Sequence, residues 1–500
     1  MKIAVITAEA EPFSKTGGLA DVAGALFKEY SKLGHDSYLF IPLYKRTREQ
    51  FKDRIHDTEA VIDIPLGKAI RKCRVFKYRD PLHVTRDKKT VESDALTGHG
   101  SRVTRHGGSV FFIGNDEYFG RDELYGTSDG DYPDNDQRFI FFCRSVLEIC
   151  KLFNLDLDVI HCNDWQSGLI PVYLKTLYRQ EPVFGKSRSV ITIHNLGYQG
   201  IFPLQTMEIT GLGWDLFNPE GLEFYGNLNM LKAGIVWADV ITTVSRTYAK
   251  EILTPEFGFG LDGVLRKRAD SVVGIMNGID YTQWNPSTDK FLPQTFDRND
   301  ISGKSECKRE LMKICGLSGD LTTPLLCFIG RLSDQKGIDL LAGVIPRLIA
   351  EGLNIVIIGK GEGHYESMLN SLKDQYGKNL FFYSGFGESI AHLAYAGSDI
   401  FMMPSRYEPC GIGQLIALYY GTISVARNTG GLKDTIKDGE VGFLFDEYSL
   451  EAFTKGIKRA LNAYADKKLW QGIMKKAMNK DFSWGKPAKK YIDVCSGKKT

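Results

Sequence analysis

This sequence of 500 residues lacks long apolar runs. No stretch of it reaches the roughly 18 apolar residues that a membrane-spanning helix requires. The opening residues, MKIAVITAEAEPF, contain an apolar run that is too short for a secretory signal, and Glu9 and Glu11 follow it at once. The sequence therefore predicts neither a membrane partner nor export.

The nine cysteines show no paired spacing. Five of them stand in apolar surroundings and are predicted to be buried thiols: Cys143, Cys150, Cys162, Cys315 and Cys327. A reducing, cytoplasmic environment is the expectation that follows.

Charge of one sign is not in excess either. Lysine and arginine together number 63 and the acidic residues 61, for a formal net charge of +2. This balance gives no support for a nucleic-acid partner or for binding to a membrane surface. Glycine, in contrast, is frequent at 52 residues, above the usual share of roughly 7%, which favours an α/β protein with many tight turns.

The stretch KTGGLADVAG, residues 15–24, lies between two predicted elements. Residues 3–6 before it form a short β-branched run that is typical of a buried parallel strand. After it, apolar residues recur at spacings of three and four, which predicts one face of a helix: Leu19, Val22, Ala23, Leu26, Tyr30 and Leu33.

Lys15, Gly17 and Gly18 would then stand on a strand-to-helix turn. Backbone amides and the positive end of the helix dipole favour an anion there. Asp21, in the first helical turn, could reach a sugar hydroxyl. A plain glycine turn with a solvated lysine fits the same residues equally well.

Polar residues follow three further predicted strands. His161 ends the first and leads into CNDWQSGL, His194 and Asn195 follow the second, and Ser245 follows the third. Ligands of open parallel sheets bind outside the carboxyl ends of the strands, so these tips are candidates for one rim of a site. A structural histidine is the alternative.

Two other stretches invite a ligand interpretation. The loop at residues 128–139 holds four aspartates, Asp134 among them, but their spacing does not match a calcium loop, and no metal site is predicted. Residues 224–234, FYGNLNMLKAG, combine aromatic and amide groups that suit sugar rings, which makes Tyr225 and Asn229 candidate sugar-facing residues. A helix N-terminus over a core explains the second stretch as well.

The second half repeats the strand, loop and helix plan, starting near Val272. The glycines of GKGEG at 359–363 are not a dinucleotide fingerprint, because His364 holds the place of the third glycine. Arg331 and Lys336 lie on one short loop, where two cations beside a helix N-terminus suit a diphosphate leaving group. Glu408 precedes a helix, where a carboxylate can bind sugar hydroxyls or stabilise a cationic sugar centre.

Taken together, the motifs resemble those of bacterial glycogen synthases and plant starch synthases over nearly the whole chain. The matching segments are KTGGLADV at 15–22, HCNDWQSGL at 161–169, HNLGYQG at 194–200, NGID at 277–280, GRLSDQKG at 330–337, EPCG at 408–411 and NTGGL at 428–432. The resemblance implies two Rossmann-like, doubly wound α/β domains of the GT-B type that face each other across a cleft. The expected boundaries are 1–265 for the first domain, 266–483 for the second, and 484–500 for a helix that crosses back to the first.

The activity implied by this resemblance is transfer of glucose from ADP-glucose to the non-reducing end of an α-1,4-glucan, with retention of configuration and without a metal or other cofactor. By the same resemblance, Lys15 lies near the donor's phosphates with the Gly17–Gly18 turn against the donor, and Arg331 and Lys336 carry the leaving group.

The resemblance also implies roles for the remaining candidates. His161 faces the glucosyl unit, Glu408 holds the donor's sugar or ribose, and Asp134 lines the cleft. Further contacts to the donor come from Cys410, Gly411, Thr429, Gly430 and Gly431, and to the acceptor from Asn163, His194, Asn195, Tyr225 and Asn229.

Two positions depart from the wider pattern: Ile416 stands where related transferases carry a second glutamate, and Asn163 stands where many relatives have a histidine. A transferase that uses UDP-glucose and a catalytically idle sugar-nucleotide or glucan-binding protein remain the alternatives. Oligomeric state is not predicted by the sequence.

Overall fold

The computed structural model describes residues 1–79, 108–127, 130–385 and 387–498. These residues form two compact units. The first unit comprises Met1–Thr243, Ile252–Ile275 and the segment from Gly485 onward, and the second comprises Val244–Glu251 and Met276–Trp484. The stretch 80–108 lacks apolar periodicity, which predicts an exposed loop or a mobile hairpin. It lies outside the described residues except for Gly108.

The strands lie in four sheets among the described residues. In chain order they are β1 (Lys2–Ile6), β2 (Asp36–Pro42), β3 (Ile55–Leu66), β4 (Ala69–Tyr78), β5 (Gly108–Gly114), β6 (Gly126–Thr127), β7 (Gly130–Asp131), β8 (Val159–Asn163), β9 (Arg188–Ile193), β10 (Ile201–Phe202), β11 (Glu223–Phe224), β12 (Asn227–Asn229), β13 (Val240–Thr243), β14 (Val272–Gly274), β15 (Leu325–Ile329), β16 (Asn354–Gly359), β17 (Leu380–Ser384), β18 (Ile400–Met403), β19 (Ile423–Arg427) and β20 (Gly442–Phe445).

None of the helices in the described part of the chain has the length and apolar character that crossing a bilayer demands. In chain order they are α1 (Gly18–Lys32), α2 (Lys45–Gln50), α3 (Asp116–Phe119), α4 (Asn135–Leu152), α5 (Ile170–Lys175), α6 (Thr206–Thr210), α7 (Met230–Trp237), α8 (Arg246–Glu251), α9 (Asp262–Lys267), α10 (Gly303–Ile314), α11 (Ile338–Ala350), α12 (Gly363–Tyr376), α13 (Glu388–Gly397), α14 (Gly413–Tyr419), α15 (Gly430–Thr435), α16 (Leu450–Ala465), α17 (Lys467–Met478) and α18 (Gly485–Cys495).

The main sheet of the first unit has the order β14-β13-β9-β8-β1-β2-β5-β4-β3. Seven of these strands are parallel, and β1 pairs with both β2 and β8, so that Ile3 lies opposite Ser37 on one side and Val159 on the other. The chain builds outward from β1 in one direction and then from β8 in the other. The point where the direction reverses, between β1 and β8, is where α/β sheets bind ligands.

The sheet of the second unit repeats this arrangement. Its order is β17-β16-β15-β18-β19-β20, with every neighbouring pair parallel. The reversal lies between β15 and β18. The buried strand Leu325–Ile329 and the helix Ile338–Ala350 on either side of the GRLSDQKG loop follow the strand, loop and helix plan predicted for this half. A strand covered on both faces is a continuous apolar segment in the sequence, which makes it predictable.

The structure differs from the predictions in three respects. β14, predicted to open the second domain, is the last strand of the first sheet, where Val272 pairs with Ile241. The boundary at 265 and 266 therefore falls inside the first unit, and α8 belongs to the second unit although the chain on either side of it belongs to the first. The antiparallel hairpin of β3 and β4, which extends the first sheet at its edge, was not predicted.

The C-terminal helix α18 packs in the first unit against α1. Tyr491 on α18 is fully buried, and its ring lies 5.3 Å from the ring of His161 on β8. Tyr30 on α1, also fully buried, places its hydroxyl 3.4 Å from Nδ1 of the same histidine. The last helix therefore covers one face of the first sheet behind the strand tips.

A buried ion pair fixes the amino-terminal end of the second sheet. Lys308 Nζ lies 2.6 Å from Asp399 Oδ2, and the two side chains are only 5% and 12% exposed. Lys308 also donates to the carbonyl oxygens of Leu321 and Thr323, and Asp399 accepts the amide of Leu325 at the start of β15. This pair lies at the opposite end of the strands from the predicted site. We therefore assign the pair a structural role.

Replacing Lys308 by methionine is expected to destabilise the second unit by about 3 kcal/mol or more, because it leaves the buried carboxylate of Asp399 uncompensated. Lys455→Met is the matched control, since Lys455 pairs with Glu451 on an exposed helix surface and its loss should leave the free energy of unfolding nearly unchanged. Urea denaturation of the two variants measures the difference. Equal midpoints would contradict the structural role of the Lys308 pair.

Candidate active site

Most predicted site residues lie near the carboxyl ends of strands at or beside the reversal points of the two sheets. In the first unit the Lys15 turn follows β1 and the pair of His194 and Asn195 follows β9, while His161 and Asn163 lie within β8. The other candidates of this unit, Asp134, Tyr225 and Asn229, lie on other elements. In the second unit the site residues follow β15, β18 and β19.

The glycine turn of the first unit already holds an anion, which is the carboxylate of Glu9. This side chain is 3% exposed. It accepts hydrogen bonds from the amides of Thr16 and Gly17 and from the Thr16 hydroxyl, the last at 2.7 Å. A fourth bond comes from the hydroxyl of Tyr125, also at 2.7 Å. The two amides of the turn are therefore used by a carboxylate within the chain, and binding of an external anion there stays a prediction.

Lys15 stands on the outer side of this turn and pairs with Asp21. The two charged groups are 2.6 Å apart, and their side chains are partly exposed. Such a pair contributes less than about 1 kcal/mol, so a polyanion can take Lys15 from it at little cost. Gly17 has open space where a side chain would stand, which leaves room beside the turn.

His161 lies below the strand tip and not at it. Its side chain is fully buried, and Nε2 lies 2.6 Å from the hydroxyl of Thr192. Burial lowers the pKa of His161 to about 4. This position differs from the predicted one, in which His161 faces the glucosyl unit, because Tyr491 of the C-terminal helix covers the ring.

Asn163 and His194 occupy the tip itself. The side-chain oxygen of Asn163 lies 2.9 Å from Nε2 of His194. The side-chain NH₂ group of Asn163 donates to the carbonyl oxygen of Ile6 at the end of β1. Burial, followed by the charge of His161, lowers the pKa of His194 to about 3. Of the two histidines, His161 is buried and His194 at the strand tip is half-buried.

Asp164, within the HCNDWQSGL motif, was not selected from the sequence, although it shapes the tip. Its backbone has the left-handed φ of 54°, and its carboxylate accepts the amide of His194 at 2.7 Å. Burial raises the pKa of Asp164 to about 7, against the hydrogen bonds from the amides of His194 and Asn195, and the nearby charge of Glu9 adds to the rise. The feature of the sequence that indicates Asp164 is its position directly after a buried strand.

Asp134 stands at the start of α4 and is bound by a guanidinium. Its two oxygens accept bonds of 2.7 Å and 2.5 Å from Arg121. Burial favours a higher pKa for Asp134, but the hydrogen bonds and charge of Arg121 outweigh it and hold the pKa below the usual range. Asp136, another aspartate of the same loop, accepts the hydroxyl of Thr206, so these two carboxylates serve different partners.

The three remaining candidates of the first unit take different positions. Asn229 is fully buried, where its oxygen caps α7 by accepting the amide of Lys232 at 2.9 Å. The structure thus supports the helix N-terminus interpretation at this residue. Tyr225 lies on the turn between β11 and β12 and is 80% exposed. Asn195 is half-buried beside His194, and its side chain accepts the amide of Gly197.

The charged centre of the second unit is the pair of Lys336 and Glu408. Nζ of Lys336 lies 2.6 Å from Oε2 of Glu408, and the side chains are 18% and 4% exposed. The hydroxyl of Ser405 donates to the same oxygen at 3.0 Å. Arg331 lies on the loop that carries Lys336 and is exposed.

Close backbone packing joins the loops that carry this pair. Gly337, with φ of 70°, lies where a Cβ would stand 2.0 Å from the carbonyl oxygen of Pro404. Gly430, with φ of 45°, lies where a Cβ would stand 1.8 Å from the carbonyl oxygen of Glu408. Glycine is required at both positions, since any side chain would push the loops apart.

Thr429, Gly430 and Gly431, which are predicted to contact the donor, use their backbone amides within the chain. Gly430 donates its amide to Glu251 at 3.0 Å, as does the hydroxyl of Thr429, and Gly431 donates to the carbonyl of Glu408. The amide of Thr429 donates to the carbonyl of Arg427. These groups therefore fix the loop in this structure.

Cys410 and Gly411 follow Glu408 on the same loop. Gln414 donates to both of their carbonyl oxygens at 2.9 Å. Burial raises the pKa of the Cys410 thiol to about 12, so it is not a nucleophile. The five cysteines that the sequence predicts to be buried are buried in the structure.

One group of potential metal ligands occurs in the described residues. The ligand atoms of Asp334, Glu362 and His364 lie within 4.8 Å of one another and are exposed. Asp334 already accepts the hydroxyl of Tyr365. This group is separate from the aspartate loop, and exposed acidic groups commonly lie together without an ion.

Comparison with known proteins agrees with the fold and with the motifs. The family model "Starch synthase catalytic domain" matches residues 2–267, and "Glycosyl transferases group 1" matches residues 318–476. A glycogen synthase of Thermodesulfovibrio yellowstonii is 48% identical, over 99% of this chain and 98% of its own length. A glycogen synthase of Geotalea daltonii is 42% identical over the same shares.

Among solved structures, the catalytic domain of starch synthase IV from Arabidopsis thaliana, bound to ADP and acarbose, superimposes with a TM-score of 0.87 at 30% identity, covering 99% of this chain and 98% of that one. A sucrose-phosphate synthase from Thermosynechococcus elongatus, at 16% identity and a TM-score of 0.59 over the same shares, shares the fold alone. These likenesses confirm the predicted fold class of two Rossmann-like α/β domains of the GT-B type.

The buried carboxyl of Asp164 predicts a pH dependence of stability. Because its pKa is about 7 in the folded state and roughly 3.9 in an unfolded chain, the folded state binds the extra proton between these values. The protonated Asp164 therefore favours the folded state at low pH. The free energy of unfolding falls as the pH rises toward 7, by up to about 1.4 kcal/mol per pH unit.

Asp164→Asn should remove this slope, so that the variant gains stability relative to the wild type between pH 5 and pH 7. Urea denaturation across this range measures the gain, with Asp215→Asn at an exposed position as the control. Parallel pH profiles for the wild type and Asp164→Asn would contradict the assignment.

Proposed function

Because the chain belongs to the family of starch synthases and bacterial glycogen synthases, we propose that it lengthens an α-1,4-glucan by transferring glucose from ADP-glucose to the non-reducing end. The family makes it a retaining glucosyltransferase with glycogen synthase function. The choice of ADP-glucose as donor, and the roles of individual residues, are the parts that we propose.

The observation that supports this function most strongly is the buried pair of Lys336 and Glu408 at the reversal point of the second sheet. A lysine held there by a carboxylate presents a fixed cation at the carboxyl ends of the strands, where α/β sheets bind nucleotides. A fixed cation stabilises the negative charge that develops on a departing diphosphate. A protein that only bound glucan would have no use for such a group.

In the proposed reaction, the bond between C1 of the donor glucose and the phosphate oxygen breaks, and a bond forms between C1 and the 4-hydroxyl oxygen of the acceptor. The proton of that hydroxyl passes to the leaving phosphate, so that ADP and a glucan longer by one glucose result. Lys336 and Arg331 bind the diphosphate as its charge rises. Glu408 orients Lys336 and lies toward the cationic sugar centre.

In the first unit, Lys15 supplies a further cation to the phosphates after leaving its pair with Asp21. His194, which is half-buried at the strand tip, is proposed to face the sugar in place of the buried His161, and the fully buried Asn163 is proposed to orient its ring through Nε2. Asp134, oriented by Arg121, is proposed to line the part of the site that the first unit supplies. No metal is required for these steps.

The adenine nucleotide is supported by the Arabidopsis thaliana starch synthase IV domain, which was solved bound to ADP. The test is incubation of the protein with glycogen and either ADP-glucose or UDP-glucose, followed by nucleotide release and chain growth. Chain growth that is faster with ADP-glucose supports the proposal. Growth only with UDP-glucose would reassign the donor, and no growth with either would favour an idle binding protein.

Glu408→Ala is expected to lower kcat by about 100-fold or more while the Kd for ADP changes by less than about 10-fold, because the carboxylate acts on the charge that develops during transfer. Steady-state kinetics and calorimetry measure the two quantities, and circular dichroism verifies folding. Glu451→Ala, at an exposed glutamate, is the control. Near-normal turnover in Glu408→Ala would refute the role.

A further inference from the structure

We propose that Glu9 is a positioning residue of the transfer reaction, which fixes the Lys15 turn and the Asp134 loop through one buried carboxylate. This inference rests on the proposed function, since it assigns a purpose to the turn that carries Lys15. Glu9 lies between β1 and the KTGG motif and belongs to neither of them.

The contacts of Glu9 reach two separate segments of the chain. On one side, Oε1 and Oε2 accept the hydroxyl of Thr16 and the amides of Thr16 and Gly17, directly beside Lys15. On the other side, Oε1 accepts the hydroxyl of Tyr125, a residue 116 positions away. One carboxylate thus joins a turn at the end of β1 to a loop that precedes α4.

Tyr125 continues the connection through its backbone. Its carbonyl oxygen accepts the amide of Tyr132 and the side-chain amide of Asn135, each at 2.9 Å. Asn135 is the first residue of α4, and Asp134 stands just before it. The side chain of Glu9 therefore has a short hydrogen-bonded path to the loop that carries Asp134.

Burial makes these contacts strong. Glu9 is 3% exposed, and its donors are two amides and two hydroxyls. Hydrogen bonds to a carboxylate are roughly twice as strong as those between neutral groups, and a buried donor that loses its acceptor is costly. The exposed pair of Lys15 with Asp21 is too weak to hold the turn by itself.

The position of a catalytic group matters steeply, because a displacement of about 1 Å can cost roughly 100-fold in rate. Glutamine at position 9 has the shape of glutamate, but its NH₂ group cannot accept the bonds that one of the two oxygens now accepts. Glu9→Gln should therefore release part of the turn without creating a cavity. Tyr125→Phe removes a single bond and leaves the turn itself bound.

The experiment compares Glu9→Gln and Tyr125→Phe with the full-length wild type, under conditions where all are folded. Asp289→Asn is the matched control. Asp289 is a buried carboxylate of the second unit that accepts the hydroxyl of Tyr420 and the amide of Phe291, pairs with Nδ1 of His392, and lies outside the proposed site. The measurements are kcat and KM for ADP-glucose, KM for glycogen, and backbone amide hydrogen exchange of the peptide covering residues 13–20.

We expect Glu9→Gln to lose about 10- to 100-fold in kcat/KM for the donor, Tyr125→Phe about 3- to 10-fold, and both to keep KM for glycogen within about 3-fold. Exchange in residues 13–20 should rise in Glu9→Gln and stay unchanged in Asp289→Asn.

Donor kinetics within twofold of the wild type in a folded Glu9→Gln would overturn the positioning role, as would an equal loss in Asp289→Asn. If Glu9→Gln does not fold, unchanged donor kinetics in Tyr125→Phe would overturn it. A wild type that transfers no glucose would instead overturn the proposed function.

Discussion

The buried ion pair of Lys336 and Glu408 is the interaction on which the second half of the site depends. Removing two charges from water costs several kcal/mol for each, and attraction repays that cost only when the geometry is fixed and other donors complete it. The hydroxyl of Ser405 supplies such a donor. Gly337 and Gly430 let the neighbouring loops approach within contact of the backbone on either side, which fixes the geometry. The pair of Lys336 and Glu408 therefore requires Gly337 of GRLSDQKG and Gly430 of NTGGL.

Three other loops of the predicted site are fixed by carboxylates that accept hydrogen bonds from backbone amides. Glu9 holds the glycine turn of the first unit, Asp164 holds the loop after β9, and Glu251 holds the Thr429 loop. The glycine turn, which the sequence suggested for an external anion, and the Thr429 loop, which the resemblance placed against the donor, are thus each bound by an internal carboxylate. This arrangement leaves the side chains of Lys15, Arg331 and Lys336, and not the loop amides, as the groups proposed to meet the donor's phosphates.

The sequence predicted most of the parallel strands, because runs such as Leu325–Ile329 are buried on both faces and carry their own signal. It did not predict the hairpin of β3 and β4, whose residues alternate between exposed and buried at the sheet edge. Nor could it place His161, since the group that covers it, Tyr491, lies 330 residues further along the chain. Glu9 and Glu251 were missed because a carboxylate bound to amides leaves no motif of its own.

The measurement that tests this account most directly is a double-mutant cycle on Lys336 and Glu408, using Lys336→Met, Glu408→Gln and the double variant, with kcat/KM for ADP-glucose as the readout. If the two side chains act as one unit, the double variant should lose little more than the worse single variant. Losses that multiply, so that the double variant falls by the product of the two single effects, would show that the groups act independently and would contradict the central place given to this pair.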